Sequence, residues 1–261
     1  MKAAILNPIR FYKTSNVPNY TTKFPNPDSV TFGSQYFYGV NFSNWFIRFH
    51  IGVMYLQFEM TGADRKVLSV YKYVNGAFQL STTIDGADIT PSGWSGNYMY
   101  KFTVNLADGV YYLASTNGFK SDIFCVTSST EVSEDFVKID YLNSENDYGC
   151  IFGTNSFTSY FIGSLTPGAP KNEYSTYEDD RGEPVKLSAT PQRVATLSLK
   201  GLHFTYVDMV NHIFSLDTIT INGIDYENDE APTFDAIDGS DMGTLNIRLI
   251  QKTNDYYYGS D

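Results

Sequence analysis

A mainly β fold is predicted by three features of the 261-residue chain. Aromatic residues make up 16% of it, with 21 Tyr and 19 Phe against 2 Trp, and such side chains fit pleated, half-buried surfaces. Asn75-Gly76 and Asn222-Gly223 each lie between strand-like runs, where a tight type I′ turn needs two consecutive positive φ angles. Segments of alternating apolar and polar residues recur between turn signals at the spacing typical of a sandwich. The prediction is two β-sandwich-like domains, with one short amphipathic helix in the second.

Taken in order, residues 1–43 are rich in Asn, Pro, Thr and Tyr, with "NVPNY" and "FPNPDS" breaking any regular element. They read as an N-terminal arm with short strands. "WFIRFHIGVMYLQFEM" then fits one strand, or two with a bend at Gly52. Asn75-Gly76 makes the hairpin of "VLSVYKYVNGAFQLST". In the next segment Tyr98, Tyr100, Phe102, Val104 and Leu106 alternate with polar or flexible residues, and Asp108-Gly109 turns the chain. Lys120 to Asp122 gives another break before "IFCVTS". Residues 44–130 are thus expected to form a β-sandwich domain. The polar, acidic stretch "TSSTEVSED" at 127–135 is the candidate boundary. Residues 131–261 are expected to form a second β-rich domain, without a clear repeat of the first. Its helix is expected near 206–216, where Val207, Val210 and Phe214 recur at helical spacing and Met209, Ile213 and Leu216 widen the stripe. Asp208, Asn211, His212 and Ser215 fall on the opposite face. The hairpin "TITINGIDYE" and a late strand "TLNIRLIQK" follow, and the tail "DYYYGSD" is expected to be exposed.

The balance of charge narrows the partners. A net charge of −11 with a pI of about 4.6, and Lys and Arg scattered singly, argue against nucleic acid. No apolar run is long enough to span a bilayer. The apolar stretch Ala3 to Leu6 is too short for a secretory h-region, so a cytoplasmic origin is expected. In that reducing compartment Cys125 and Cys150 are expected as free thiols. The sequons at Asn19 and Asn41 would then carry no glycan.

Two acidic clusters are the first candidates for chemistry: Glu178, Asp179, Asp180 and Glu183, and the stretch "DYENDEAPTFD" at 225–235. An EF-hand loop begun at Asp238 puts Ser240 and Met242 at positions three and five and Leu249 at twelve, so the calcium register fails. The first cluster is interrupted by Arg181. Its setting reads as strand, turn and strand, with Gly182 suited to a left-handed turn position and the charges at a solvated hairpin tip. A glycosidase carboxylate pair would flank a cleft on separate elements, which sequence proximity does not address. Asp208, His212 and Ser215 share one helix face, but three residues along a straight helix cannot converge on one carbonyl as a triad does. His50 lies within an aromatic strand and His203 near a strand end, and three His with two distant Cys make no zinc pattern. Phosphate-binding glycine loops and a G-x-S-x-G elbow are missing from the sequence. No catalytic, cofactor-binding or metal residue is assigned, and the expectation is a protein that is not an enzyme.

The second half runs "FVKIDYLN", "ENDYGCIFG", "SYFIGSL", "STYEDDRGEPVKL", "RVATLSLKG", the helix "YVDMVNHIFSL" and "TITINGIDYE". This order resembles virion structural proteins of tailed phages that infect gut Bacteroidales, crAss-like phages included, and of related prophages. In those an acidic hairpin with D-x-x-G, a strand, one amphipathic helix and a hydrophobic hairpin with an ING turn follow one another. "GVYYLASTNGFKSDIFCV" in the first half is similar to their small β-sandwich module. The resemblance covers residues 98–230 and is one of order and texture. It implies a non-enzymatic tail, neck, baseplate or head-tail connector subunit, a ring-forming or adaptor protein found in the virion and assembled in the host cytoplasm. Its partners would be further copies of itself and neighbouring virion proteins, with no cofactor. The Pro/Asn-rich N-terminal arm and the Tyr-rich tail are candidate contact segments. The rival reading is a carbohydrate-binding β-sandwich for host-glycan adhesion, with Trp45 or Trp94 stacking on sugar.

Overall fold

The computed structural model describes residues 2–4, 6–13, 47–50, 52–60, 66–92, 97–116, 118–128, 136–145, 150–152, 156–238 and 242–252. The chain is mainly β, with one α-helix among the described residues. Packing divides it into two units, residues 1–161 and 162–261.

The first unit is a sandwich of two sheets. One has the order β1(Lys2–Ala3)-β4(Val53–Met60)-β8(Tyr98–Asn105)-β7(Ala87–Asp88), all antiparallel. The other is built on β9(Gly109–Ser115), with the hairpin β5(Val67–Val74)/β6(Ala77–Asp85) on one edge. On its other edge lie β10(Phe119–Ser121), paired with β2(Phe11–Lys13), and β11(Phe124–Thr127), paired in parallel with β3(Ile47–His50). Alternation along each strand sends every second side chain inward. Met54, Leu56, Phe58 and Met60 of β4 thereby meet Leu68 and Val70 of β5, Leu113 of β9 and Phe124 of β11 in one buried core. Phe58 packs edge-on against Phe102 of β8 at 5.5 Å and Phe11 of β2 at 4.7 Å.

The Asn75-Gly76 hairpin is present, with φ of 51° and 89°. The bend at Gly52 and the turn at Asp108-Gly109 have a further consequence: at each of them the chain leaves one sheet and enters the other. The short β1 and β2 of the expected arm are built into the sandwich. Leu6 and Ile9 between them are fully buried, and Arg10 holds Asp122 through two hydrogen bonds of 3.2 and 3.3 Å. Residues 14–46, most of that arm, lie outside the described residues.

Residues 136–161 pack with the first unit. β12(Phe136–Leu142) buries Tyr141, whose hydroxyl donates to the Leu6 carbonyl at 2.6 Å and lies 3.2 Å from Ser159 Oγ. Gln57, on the outward face of β4 but only 1% exposed, treats Ile151 as a strand would. Its side-chain amide donates to the Ile151 carbonyl at 2.6 Å and its oxygen accepts the Ile151 N–H at 2.8 Å. The polar stretch expected to separate two domains, 127–135, lies mostly outside the described residues.

In the second unit, β13(Phe157–Pro167), which crosses the division, pairs from Gly163 onward with β16(Val194–His203). β16 pairs with β20(Met242–Gln251), and β20 carries β18(Ile224–Asn228) and β19(Thr233–Ala236) on its other edge. β17(Thr218–Ile221) joins β18 through Asn222-Gly223, with φ of 49° and 84°. The helix α1(Phe204–Ile213) begins directly after β16. Met209, Val210, Ile213, Phe214 and Leu216 are buried and Asp208 and Asn211 face solvent, as the stripe predicts, whereas Val207 is half-buried and Tyr206, outside the stripe, is buried. The sheet side of this core is Leu197, Leu199, Leu245, Ile247 and Leu249, all fully buried.

Candidate functional site

The acidic stretch at 178–183 is the tip of a long ribbon. β14(Lys171–Glu178) and β15(Pro184–Gln192) pair with each other and with no other described strand. Eight residues at about 3.3 Å each give an arm of about 26 Å. Its tip is organised by Asp179, whose carboxylate accepts the N–H groups of Arg181 and Glu183, both at 2.9 Å. Gly182, at φ 77°, supplies the left-handed position and donates its N–H to the Asp179 carbonyl at 2.8 Å. Glu178, Asp180 and Glu183 point into solvent.

Asp229 and Glu230 of the second acidic cluster form ion pairs at the foot of this arm. Asp229, with its side chain 6% exposed, lies 2.8 Å from Lys171 Nζ and 3.0 Å from Arg248 Nε. Arg248 also reaches Glu230 at 2.9 Å. Asp225 accepts the Thr220 hydroxyl, and Asp235 the Asn246 side chain. A carboxylate shared by two cations from different strands fixes the root of the arm to the sheet. Among the described residues no three His, Cys, Asp or Glu side chains gather as metal ligands.

Along the arm Lys171, Asn172, Ser175, Thr176, Tyr177 and Lys186 are exposed, with Tyr177 at 49%, and Val185 and Gln192 are half-buried. A two-stranded ribbon without a covering layer is marginal in water. The arm's own edges are guarded against indiscriminate pairing. Pro184 and Pro191 in β15 donate no N–H, charges flank the tip, and a register shift at Ser175/Thr176 interrupts the ladder. β14 holds no proline and offers the more complete outer edge.

Sequence reading did not find a cleft in the first unit, of about 140 Å³, lined by Phe49, Val53, Leu106, Lys138, Thr158 and Tyr160. Lys138 and Asp140 alternate with the core residue Ile139, so they share a face. They form an ion pair at 2.6 Å, and the Thr158 hydroxyl donates to Asp140. The alternation "KID" was the available signal. Burial pushes the Tyr160 phenol above its ordinary range. The volume is about that of a cavity that takes one benzene ring, and is below the usual range of small-molecule sites.

The remaining candidates are dispersed. Asp208 and Ser215 are exposed and His212 is half-exposed. His212 Nδ1 faces the Asp208 carbonyl and Ser215 Oγ donates to the His212 carbonyl, which are contacts along the helix itself. His50 lies in β3 and His203 ends β16. Cys125 and Cys150 are free thiols. Trp45, Trp94, Asn19, Asn41 and the tail from residue 253 lie outside the described residues. On the outer face of β5 and β9, Tyr71 stacks on Tyr112 at 4.6 Å and Phe78 meets Tyr112 edge-on at 4.8 Å, so these rings cover one another. No protein-family model matches this chain, and no curated protein is significantly similar to it.

Proposed function

We propose that this chain is a non-enzymatic structural subunit that assembles through protein–protein contacts, as a tail, neck or baseplate ring or adaptor component of a tailed-phage virion. The observation that carries the assembly reading is the β14–β15 arm, a ribbon with mostly exposed described side chains that pairs with no other described strand. Another chain could give such an arm a third strand by β-augmentation. The ion pairs of Asp229 at its root and the tight Asp179 turn at its tip keep it presented. The order of hairpin, strand, helix and hairpin that suggests the virion family supports the narrower reading.

Light scattering after size exclusion, with negative-stain microscopy, tests this on the full chain. A closed ring or tail-like assembly is expected. Replacing residues 173–190 by an Asn-Gly turn should abolish that assembly while the circular dichroism of the rest persists. A strict monomer that binds glycans, or assembly indifferent to loss of the arm, would overturn the proposal.

A further inference from the structure

The first unit has an open sheet edge at β6, which pairs with β5 and with no other described strand. Long edges of this kind are usually blunted by proline, charge or a bulge. From Ala77 to Ile84 there is neither proline nor a charged residue, in a chain of net charge −11. One bulge falls at Ser81, where the β5–β6 register shifts, and it leaves a regular stretch between the hairpin turn and Leu80. Leu80 is 59% exposed, the most exposed large hydrophobic side chain among the described residues.

The turn sets which backbone groups face that edge. The two-residue Asn75-Gly76 turn closes on the pair Val74 and Ala77, and hydrogen-bonded pairs then recur at every second position. Lys72 and Gln79 are thus a bonded pair, with the Gln79 N–H and C=O directed at β5. The N–H and C=O of Phe78 and Leu80 are directed at the open edge instead. Opposed residues share a face, so Phe78 with Tyr73 and Leu80 with Tyr71 line the outer face. There Phe78 packs edge-on against Tyr73 at 5.3 Å and Tyr112 at 4.8 Å, and Leu80 ends the stripe at the rim.

We infer that β6 pairs antiparallel with β6 of a second copy, about a two-fold axis at Gln79. Phe78 of each copy then lies opposite Leu80 of the other, and the two exchange the hydrogen bonds that the open edge leaves unmade. Two aromatic–leucine pairs carry the outer apolar stripe across the contact. A second copy fits this edge because the stretch is self-complementary: the same two side chains supply both halves of each pair. It is also an uncharged edge on an acidic chain, where copies meet without like charges opposed. The contact is isologous and closes as a dimer. It depends neither on the arm nor on the virion reading.

Disulfide trapping in the full-length protein tests the register. On the axis the two residues 79 form a non-hydrogen-bonded pair with Cα atoms about 4.5 Å apart, within disulfide range. Gln79→Cys should therefore give a disulfide-linked dimer on mild oxidation. Thr83→Cys lies four residues from the axis in opposite directions on the two copies, about 26 Å apart. It should cross-link no more than the unaltered chain, whose own thiols are Cys125 and Cys150. Adding Leu80→Lys, at an exposed position, to the Gln79→Cys chain should raise the protein concentration for half cross-linking about tenfold, through two lost pairs. Circular dichroism should stay unchanged. Gln79→Cys cross-linking no better than Thr83→Cys, or a yield indifferent to Leu80→Lys, would overturn the inference. Replacing residues 173–190 should leave the Gln79→Cys cross-link in place, which keeps this outcome separate from the fate of the assembly proposal.

Discussion

At the scale of single residues, Gln57 shows how a buried polar side chain on the outward face of a strand is made tolerable. Its amide copies the hydrogen bonds of a neighbouring strand, and Asn7 closes the rest: the Asn7 oxygen accepts the Gln57 N–H at 2.7 Å and the Asn7 amide donates to the Gln57 carbonyl at 2.9 Å. Gln57→Leu keeps the volume but strands the N–H and carbonyl of Ile151. Denaturant unfolding should show a loss of about 2–4 kcal/mol, from two missing bonds and two buried orphans. Gln57→Ala, which opens space for water, should cost less than that sum. None of this was legible in "YLQFEM", because the partner lies 94 residues away. Asp179 is the opposite case: its role follows from the two or four residues beside it, and "EDDRGE" announces a hairpin tip to any reader of turn chemistry.

At the scale of elements the same divide holds. The Asn-Gly hairpins and α1 were readable because a turn type or a helical stripe is written within a dozen residues. The sheet to which each strand belongs was not. Asp108-Gly109 has the composition of a hairpin turn, yet β8 and β9 lie in different sheets, and β3 finds β11 in parallel across more than 70 residues. Such choices are set by which apolar faces meet, which no local pattern records. The β13–β16 pair offers a test. Gly163 sits opposite Leu199, and a Cβ there would come within 2.5 Å of the Ser198 carbonyl oxygen. Backbone cannot swing aside as a side chain does, so Gly163→Ala should destabilise the second unit by about 1–3 kcal/mol in thermal or denaturant unfolding. Gly182→Ala, where nothing lies within 4 Å of the added carbon, should cost only the left-handed strain of about 1–2 kcal/mol, local to the tip.

For the whole molecule, the abundance of Tyr that pointed to β structure also sets a limit at alkaline pH. The Tyr141 phenol is fully enclosed and burial pushes it far up, and burial raises Tyr160 and Tyr226 as well. A phenol that holds its proton more tightly in the folded chain contributes stability below the unfolded value of about 10, and that contribution drains away as pH climbs past it. Raising the pH should therefore leave the fold intact up to about 10. Above that, phenolate absorbance and loss of circular dichroism should rise together. Tyr141→Phe should uncouple part of that ionisation from unfolding, and simultaneous titration of all tyrosines before any loss of structure would contradict the burial. The ribbon of β14 and β15 has a different thermal character. Among the described strands it pairs only with itself, so its amides should exchange hydrogen through small local openings long before the cores of either unit do. Docking would then have to quiet a fluctuating limb, and the entropy lost in doing so makes each single contact weak and reversible. In the assembly proposed above, wrong contacts would then dissociate and be corrected before enough neighbours accumulate to lock the limb in place.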